Sequence, residues 1–303
     1  MGFFRKYHGK RSYDLFSTYN FFLPGYLDML WMALLMLAGA FIGAFIIGLL
    51  YAAGYESLGD MASYGLLISY PLMFIPVMLF ASVKSRRNEY VSTGYALDSS
   101  NFGSHWGITL AFAVSFMTLA TSFISEPVGK LLPEMDPVKF EQMSKMMHDT
   151  PAWVVLLSVS IFAPFFEEWL CRGLVLRGML KRTKPWTAIM ISALFFALIH
   201  GNLQQGVPAF LMGIVFGYVY YRTGSLKLTM LMHFVNNTFA YLIAQVPSLK
   251  DVDYFMDVLS PWAYAGIYSA AVLILASGFV LFRGIPQKEG NLGGCDKIDY
   301  EFS

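Results

Sequence analysis

Charge is scarce in this chain: Lys, Arg, Asp and Glu make up 14% of its 303 residues, whereas 56% are hydrophobic. A soluble domain of this size cannot bury so much apolar surface, so the composition points to an integral membrane protein. The few charges nearly cancel, to +1, which excludes the basic footprint of a nucleic-acid binder. Cysteine is also rare. Cys171 and Cys295 stand far apart, so neither a disulfide framework nor a cysteine zinc site is expected. Processing signals are missing as well. The opening "MGFFRKYHGKRSYDLFSTYNFF" offers no small-residue cleavage site after a short apolar core, so no signal peptide is expected. Lys6 stands where N-myristoylation needs Ser or Thr, and the closing "DKIDYEFS" lacks the cysteine that prenylation requires.

Long apolar runs, in contrast, are abundant. A membrane-spanning helix needs about 20 apolar residues. Eight segments qualify or come close: Leu27–Tyr51, Met61–Val83, His105–Ser125, Trp153–Gly173, Trp186–His200, Val207–Tyr221, Leu226–Val246 and Trp262–Phe282. The fifth and sixth are short. Of the 21 Lys and Arg residues, 17 fall in alternate connecting segments and four (Lys130, Lys139, Lys145, Lys250) in the others. By the positive-inside rule both termini are cytoplasmic. The expected architecture is therefore all-α, a polytopic integral membrane helical bundle with about eight transmembrane segments. Its expected divisions are a cytoplasmic segment at 1–26, three membrane helices with an external amphipathic segment at 27–150, a core at 151–246, and a last helix with a cytoplasmic tail at 247–303. Short loops and the lack of targeting signals favour a bacterial plasma membrane, with membrane lipids as constant partners. Gly39/Gly43 and Gly213/Gly217 have the spacing that lets membrane helices pack closely. "DPVKFEQMSKMMHD" reads as an interfacial helix with Asp136 as N-cap, Pro137 at its first position, and Phe140, Met143 and Met147 on one face.

Ionisable groups within membrane segments cost about 2.5–3.5 kcal/mol each and usually serve a function. Three clusters occur: Glu167, Glu168 and Arg172; His200; and His233 with Asn236 and Asn237. Glu168 and Arg172 are four apart and share a helix face, so they can neutralise each other. Glu167 points elsewhere and is left over, which suits a general base. His233 and Asn237 also share a face and could donate to an oxyanion. Each cluster alone has a plainer reading, as charges at a helix end or as polar contacts between helices. Together they form a plausible hydrolytic set. Two His and a Glu could instead bind zinc, with Glu167, His200 and His233 as ligands. No HExxH supplies a preformed ligand pair, and the arrangement without a metal cofactor is preferred.

In order and spacing, "EEWLCR", "FALIH" and "HFVNN" resemble the EExxxR, FxxxH and HxxxN motifs of the CPBP family of intramembrane proteases, also called Abi. That family includes CAAX prenyl endopeptidases and bacterial bacteriocin-processing or immunity proteins. The flanking "TGSLKLTMLMHFVNNT" is similar to the family's approach to its last motif, although Lys227 replaces a more apolar residue. The resemblance covers about Trp153–Val246, so 151–246 would be the catalytic core. It implies an intramembrane endopeptidase acting on a membrane-associated peptide or protein. Glu167 and His200 would activate water, His233 and Asn237 would hold the oxyanion, and Glu168 with Arg172 would be structural support. A non-catalytic immunity or scaffold protein of the same fold, and a transporter with a proton relay, are the competing readings. The transporter reading calls for paired repeats or broken helices in both halves, and none is visible.

Depth gives a further expectation. At about 1.5 Å per residue, Glu167 lies about 8 Å and His233 about 9 Å inside the cytoplasmic edge. His200 reaches that level if the fourth helix runs on through "GLVLRGMLKR" and "GNLQQG" turns within the membrane, making the fifth and sixth segments a half-buried hairpin. Such backbone is tolerated only beside a protein-enclosed or watery cavity. In a background lacking Cys171 and Cys295, a cysteine at Gln205 should be shielded from external membrane-impermeant thiol reagents, and one at Lys130 should label freely. Rapid external labelling at 205 would rule out the hairpin.

Overall fold

The computed structural model describes residues 15–53, 61–249, 252, 254–287 and 292–298. Arg5, Lys6, Lys10, Arg11, Lys250 and Lys288, used in the topology reading, lie outside them. The described residues form nine helices: α1 (Tyr26–Ala52), α2 (Met61–Asn88), α3 (Gly107–Lys130), α4 (Pro137–His148), α5 (Ala152–Leu180), α6 (Pro185–Leu198), α7 (Leu203–Thr223), α8 (Leu226–Ala244) and α9 (Pro261–Arg283). Two short strands, β1 (Gly94–Tyr95) and β2 (Lys297–Ile298), pair antiparallel. The fold is a polytopic helical bundle. Six helices, α1, α2, α3, α5, α7 and α9, are long and apolar enough to cross a membrane. The other two expected spans fall short for different reasons. Helix α6 has only 14 residues, about 21 Å of rise. Helix α8 has 19, but His233, Asn236 and Asn237 lower its mean hydropathy.

Helix α5 is the axis of the bundle. In an 18-residue apolar stretch of it 61% of positions are buried, against 17% in the corresponding stretches of α1, α2 and α9. The cause is its sequence: "WLCRGLVL" is apolar on every side except at Arg172, and all eight residues are buried. The helix continues without a break from Ala152 to Leu180, but it widens to π-helical turns over Leu156–Phe162 and Trp169–Leu176. Neighbouring side chains take up carbonyls from these turns. Asn237 Nδ2 donates to Val159 O at 2.8 Å, Ser192 Oγ to Cys171 O at 2.8 Å, and Arg177 Nη1 to Gly173 O at 2.8 Å. Side chains inserted in this way account for a locally widened ladder.

Small residues bring the other helices together. A Cβ on Gly39 would lie 2.6 Å from the carbonyl oxygens of Leu72 and Met73, and one on Gly43 would lie 3.2 Å from Ser69 Cα. The Gly39/Gly43 face thus seats α1 on α2. On α7, Gly213 meets Ala193 (2.9 Å) and Gly217 meets Ile189 (3.1 Å), which seats α7 on α6. The α6–α7 connection is tighter than the expected six-residue turn. Gly201 turns the chain at φ +68°, the Asn202 side chain caps the backbone N–H of Gln205 at 2.9 Å, and Leu203–Gly206 already belong to α7. The turn touches the segment around α4, where Gln204 Nε2 donates to Pro133 O and Gln205 Nε2 lies 3.5 Å from Met143 Sδ, while Gly201, Leu203 and Gln205 stay exposed. In α4 itself, Asp136 Oδ1 accepts from Val138 N at 3.0 Å, which places Asp136 at the N-cap.

A polar layer closes one end of the bundle. Buried Arg177 donates to the carbonyls of Asn20 (3.1 Å) and Tyr95. Tyr95 N bonds back to Asn20 O, Ala96 N to Asp296 O, and Ser99 N to Gly224 O. Gly224 adopts φ +67°, and a Cβ there would lie 2.1 Å from Gly294 O, so both its torsion and its surroundings require glycine. Asp98 accepts from Leu226 N at 2.9 Å at the start of α8 and pairs with Lys227 at 2.8 Å. That pairing accommodates the lysine in a stretch expected to be apolar.

If the Gly39 contact sets the α1–α2 approach, Gly39→Leu should lower stability by about 1–3 kcal/mol through overpacking. Gly48→Leu, where an added Cβ meets nothing within 4 Å, should leave it almost unchanged. Thermal unfolding of the detergent-solubilised protein compares the two.

Candidate active site

The site is built around Glu168, whose side chain has no exposed surface. Its Oε1 accepts from Arg172 Nη1 at 2.8 Å and stands 3.0 Å from His233 Nδ1. A carboxylate at that distance fixes Nδ1–H as the donor and turns Nε2 outward. Arg172, one turn along α5 and equally buried, is held by α6 and α7. Its guanidinium carbon lies 4.5 Å from the Phe196 ring centre and 5.2 Å from that of Phe216. Its Nη2 donates to Gly213 O at 3.2 Å. A Cβ at 213 would meet Ala193 at 2.9 Å and lie 3.4 Å from Nη2, so the glycine is set mainly by the α6–α7 approach.

Glu167 faces a different direction. Its Oε1 accepts the hydroxyl proton of Tyr70 from α2. Its Oε2 is buried without a hydrogen bond and lies 3.9 Å from His233 Nε2. That separation is too long for a direct hydrogen bond but within reach of a single bridging oxygen. His233 is therefore fixed by one glutamate and presented to the other.

The Phe196 ring joins His200 to this group. It meets the His200 ring edge-on at 5.0 Å and the His233 ring at 5.6 Å. His200 Nδ1 bonds to Phe196 O at 2.8 Å, which leaves Nε2 as its available nitrogen. Asn237 sits on the same face of α8 as His233, and its amide is fixed at both ends. Nδ2 donates to Val159 O on α5, and Oδ1 accepts from Asn236 Nδ2 at 3.0 Å. Asn236 Oδ1 in turn accepts from Ser122 Oγ of α3 at 2.8 Å. Glu167, Glu168, Arg172 and His233 thus form one contiguous group, with His200 attached through an aromatic ring and Asn237 through the α5 backbone.

Sequence reading misses two contributors, Tyr70 and Ser122, because it finds no motif in the first three segments. Tyr70 is one of 18 tyrosines, and only its place beside Pro71 within an apolar run distinguishes it. Nor does the geometry gather the zinc set considered above: among the described residues no three His, Cys, Asp or Glu side chains converge as metal ligands.

Residues 149–239 match the family model of the Rce1-like type II CAAX prenyl endopeptidases. This stretch contains Glu167, Glu168, Arg172, His200, His233 and Asn237, and it excludes Tyr70 and Ser122. A curated relative, the "Putative membrane peptidase YdiL" of Bacillus subtilis (strain 168), is 26% identical over 94 residues. The match covers 31% of this chain and 38% of that protein, so it spans well under half of the relative's length. No solved structure matches the chain. The two matches support the resemblance to the CPBP family.

The shared oxygen of Glu168 makes a coupled prediction. Glu168→Gln or Arg172→Gln alone should cost about 3–5 kcal/mol, because each strands a buried charge. The double variant should lose much less than the sum. Unfolding of all three variants in detergent closes the cycle, and strict additivity would break the link.

Proposed function

We propose that this protein is an intramembrane endopeptidase of the plasma membrane, cleaving a membrane-associated peptide or protein. The observation that carries the reading is Glu167 Oε2, a buried carboxylate oxygen without a hydrogen bond, facing His233 Nε2 at 3.9 Å. Glu167 takes a proton from a water molecule while the water oxygen attacks the scissile carbonyl carbon. His200 holds that water from the side of the Phe196 ring. The carbonyl oxygen gains the negative charge, and His233 with Asn237 stabilises it. Collapse breaks the C–N bond, and the proton on Glu167 passes to the departing amine.

The fixed groups have distinct tasks. Glu168 accepts from His233 Nδ1 and so turns Nε2 toward the reacting groups. Arg172 neutralises Glu168, so Glu167 is the carboxylate left for the water. Tyr70 holds Glu167 by its other oxygen. The glutamate route is preferred to a metal route because no HExxH supplies a preformed ligand pair. Relatives named for CAAX prenyl endopeptidase activity make lipidated proteins one substrate class to test.

Glu167→Ala should abolish cleavage while leaving folding intact. Tyr70→Phe should lower the rate about tenfold or more, the worth of one hydrogen bond to a charged group. Activity should survive strong chelators. The measurement is a proteomic comparison of membranes carrying the active and Glu167→Ala proteins, read as altered peptide termini, followed by cleavage of the identified substrate in vesicles. Unchanged cleavage by Glu167→Ala would overturn the reading. Chelator inactivation reversed by zinc alone would place Glu167, His200 and His233 around a metal.

A further inference from the structure

Pro164 stands inside α5, three residues before Glu167. A proline within a helix removes a backbone donor, so a carbonyl in the preceding turn loses its partner. The local register identifies which one. Over Leu156–Phe162 the helix is π-helical, with each N–H bonding five residues back. Ala163 N keeps this register and bonds to Ser158 O. The next bond would run from position 164 to Val159 O, and Pro164 has no N–H to make it. In a membrane-spanning helix a freed carbonyl takes its donor from a neighbouring helix. Asn237 of α8 supplies it, with Nδ2 2.8 Å from Val159 O.

This contact decides the orientation of an amide whose two ends have the same shape. A carbonyl oxygen only accepts, so the end of Asn237 that faces it is Nδ2. The other end, Oδ1, accepts from Asn236 Nδ2 at 3.0 Å. Asn236 Oδ1 in turn accepts from Ser122 Oγ of α3 at 2.8 Å. Every donor in this chain meets an acceptor. Turning the Asn237 amide over would set its oxygen against Val159 O and its nitrogen against the Asn236 nitrogen, a mismatch at both ends. The chain is therefore held from two sides, by a carbonyl that Pro164 frees and by a hydroxyl on another helix. An amide nitrogen carries two N–H groups. Val159 O takes one of them, and the second can meet an oxyanion.

We propose that Pro164 and Ser122 are positioning residues for Asn237, keeping its nitrogen rather than its oxygen toward the oxyanion. The inference rests on the hydrolytic reading above, in which Asn237 donates to that oxygen. A donor fixed in advance needs no reorganisation as the charge develops. An amide free to turn would present its oxygen for part of the time and repel the charge.

The test uses the full chain in vesicles, with the substrate found by the membrane comparison above and turnover resolved into kcat and KM. Asn237→Ala should lower kcat about 100-fold or more, as for loss of an oxyanion donor. Ser122→Ala and Pro164→Ala should each lower kcat about tenfold with KM nearly unchanged, the worth of one hydrogen bond. Ser122→Thr, which keeps the hydroxyl, should retain the rate. In an Asn237→Ala background neither Ser122→Ala nor Pro164→Ala should lower kcat further. Pro164→Ala returns a backbone N–H that competes for Val159 O, and it should not lower Tm, because it adds a donor to the helix. A second measurement needs no substrate. It follows the Asn237 side-chain amide by NMR in protein carrying isotope-labelled asparagine, the signal being the one lost in Asn237→Ala. That signal should shift in both Ser122→Ala and Pro164→Ala. An unmoved signal in protein that cleaves overturns the positioning role, as does a kcat loss of equal size with and without Asn237. Unaltered protein that cleaves nothing while the signal shifts overturns the hydrolytic reading and, with it, the oxyanion role of this chain.

Discussion

Glu168 Oε1 accepts from Arg172 and His233 at once, in an interior where the side chains of Glu168 and Arg172 have no exposed surface. A bare charge at such a place costs several kcal/mol, so the three groups stand or fall together. Through them the bundle is pinned at its centre. Arg172 reaches α6 through Phe196 and α7 through Gly213 and Phe216, and His233 brings in α8. The same network that offsets the cost of burying charge also sets the direction of His233 Nε2. Stability and the orientation of His233 therefore draw on one set of contacts, and Glu167 is the carboxylate left outside it.

Much of this arrangement was legible in the residues. The four-residue spacing of Glu168 and Arg172 forecasts their pairing, because it depends only on local helix geometry. The cap at Asp136 and the close approaches at Gly39 and Gly213 are equally local. Contacts between distant segments are less visible. Tyr70 meets Glu167 across 97 positions of chain, and no periodicity ties an isolated tyrosine to a glutamate on another helix. Spans are less direct to count: α8 carries His233, Asn236 and Asn237, which lower the hydropathy by which a span is recognised. The π turns of α5 were also hidden. They depend on Asn237 and Ser192 of packed neighbours, together with Arg177 of α5 itself, capturing carbonyls.

Small residues and charged ones divide the work of assembly. Between lipid-facing helices, Gly39 and Gly43 allow backbones to approach, and dispersion contacts follow. Around α5, where little surface faces lipid, side-chain hydrogen bonds to backbone carbonyls hold the neighbours in place.

The clasp between Gly224 and Gly294 has a consequence for the order in which the molecule is completed. Ala96, Ser99 and Gly224 are synthesised well before their partners Asp296 and Gly294. At about 5–20 residues per second, on the order of ten seconds separate Arg177 from the arrival of Cys295. During that interval the helices can insert and associate, yet the edge of β1 stays unpaired. A segment made more than 100 residues after Arg177 thus seals a layer begun much earlier, and a nascent chain arrested before it would hold an assembled bundle with an open end.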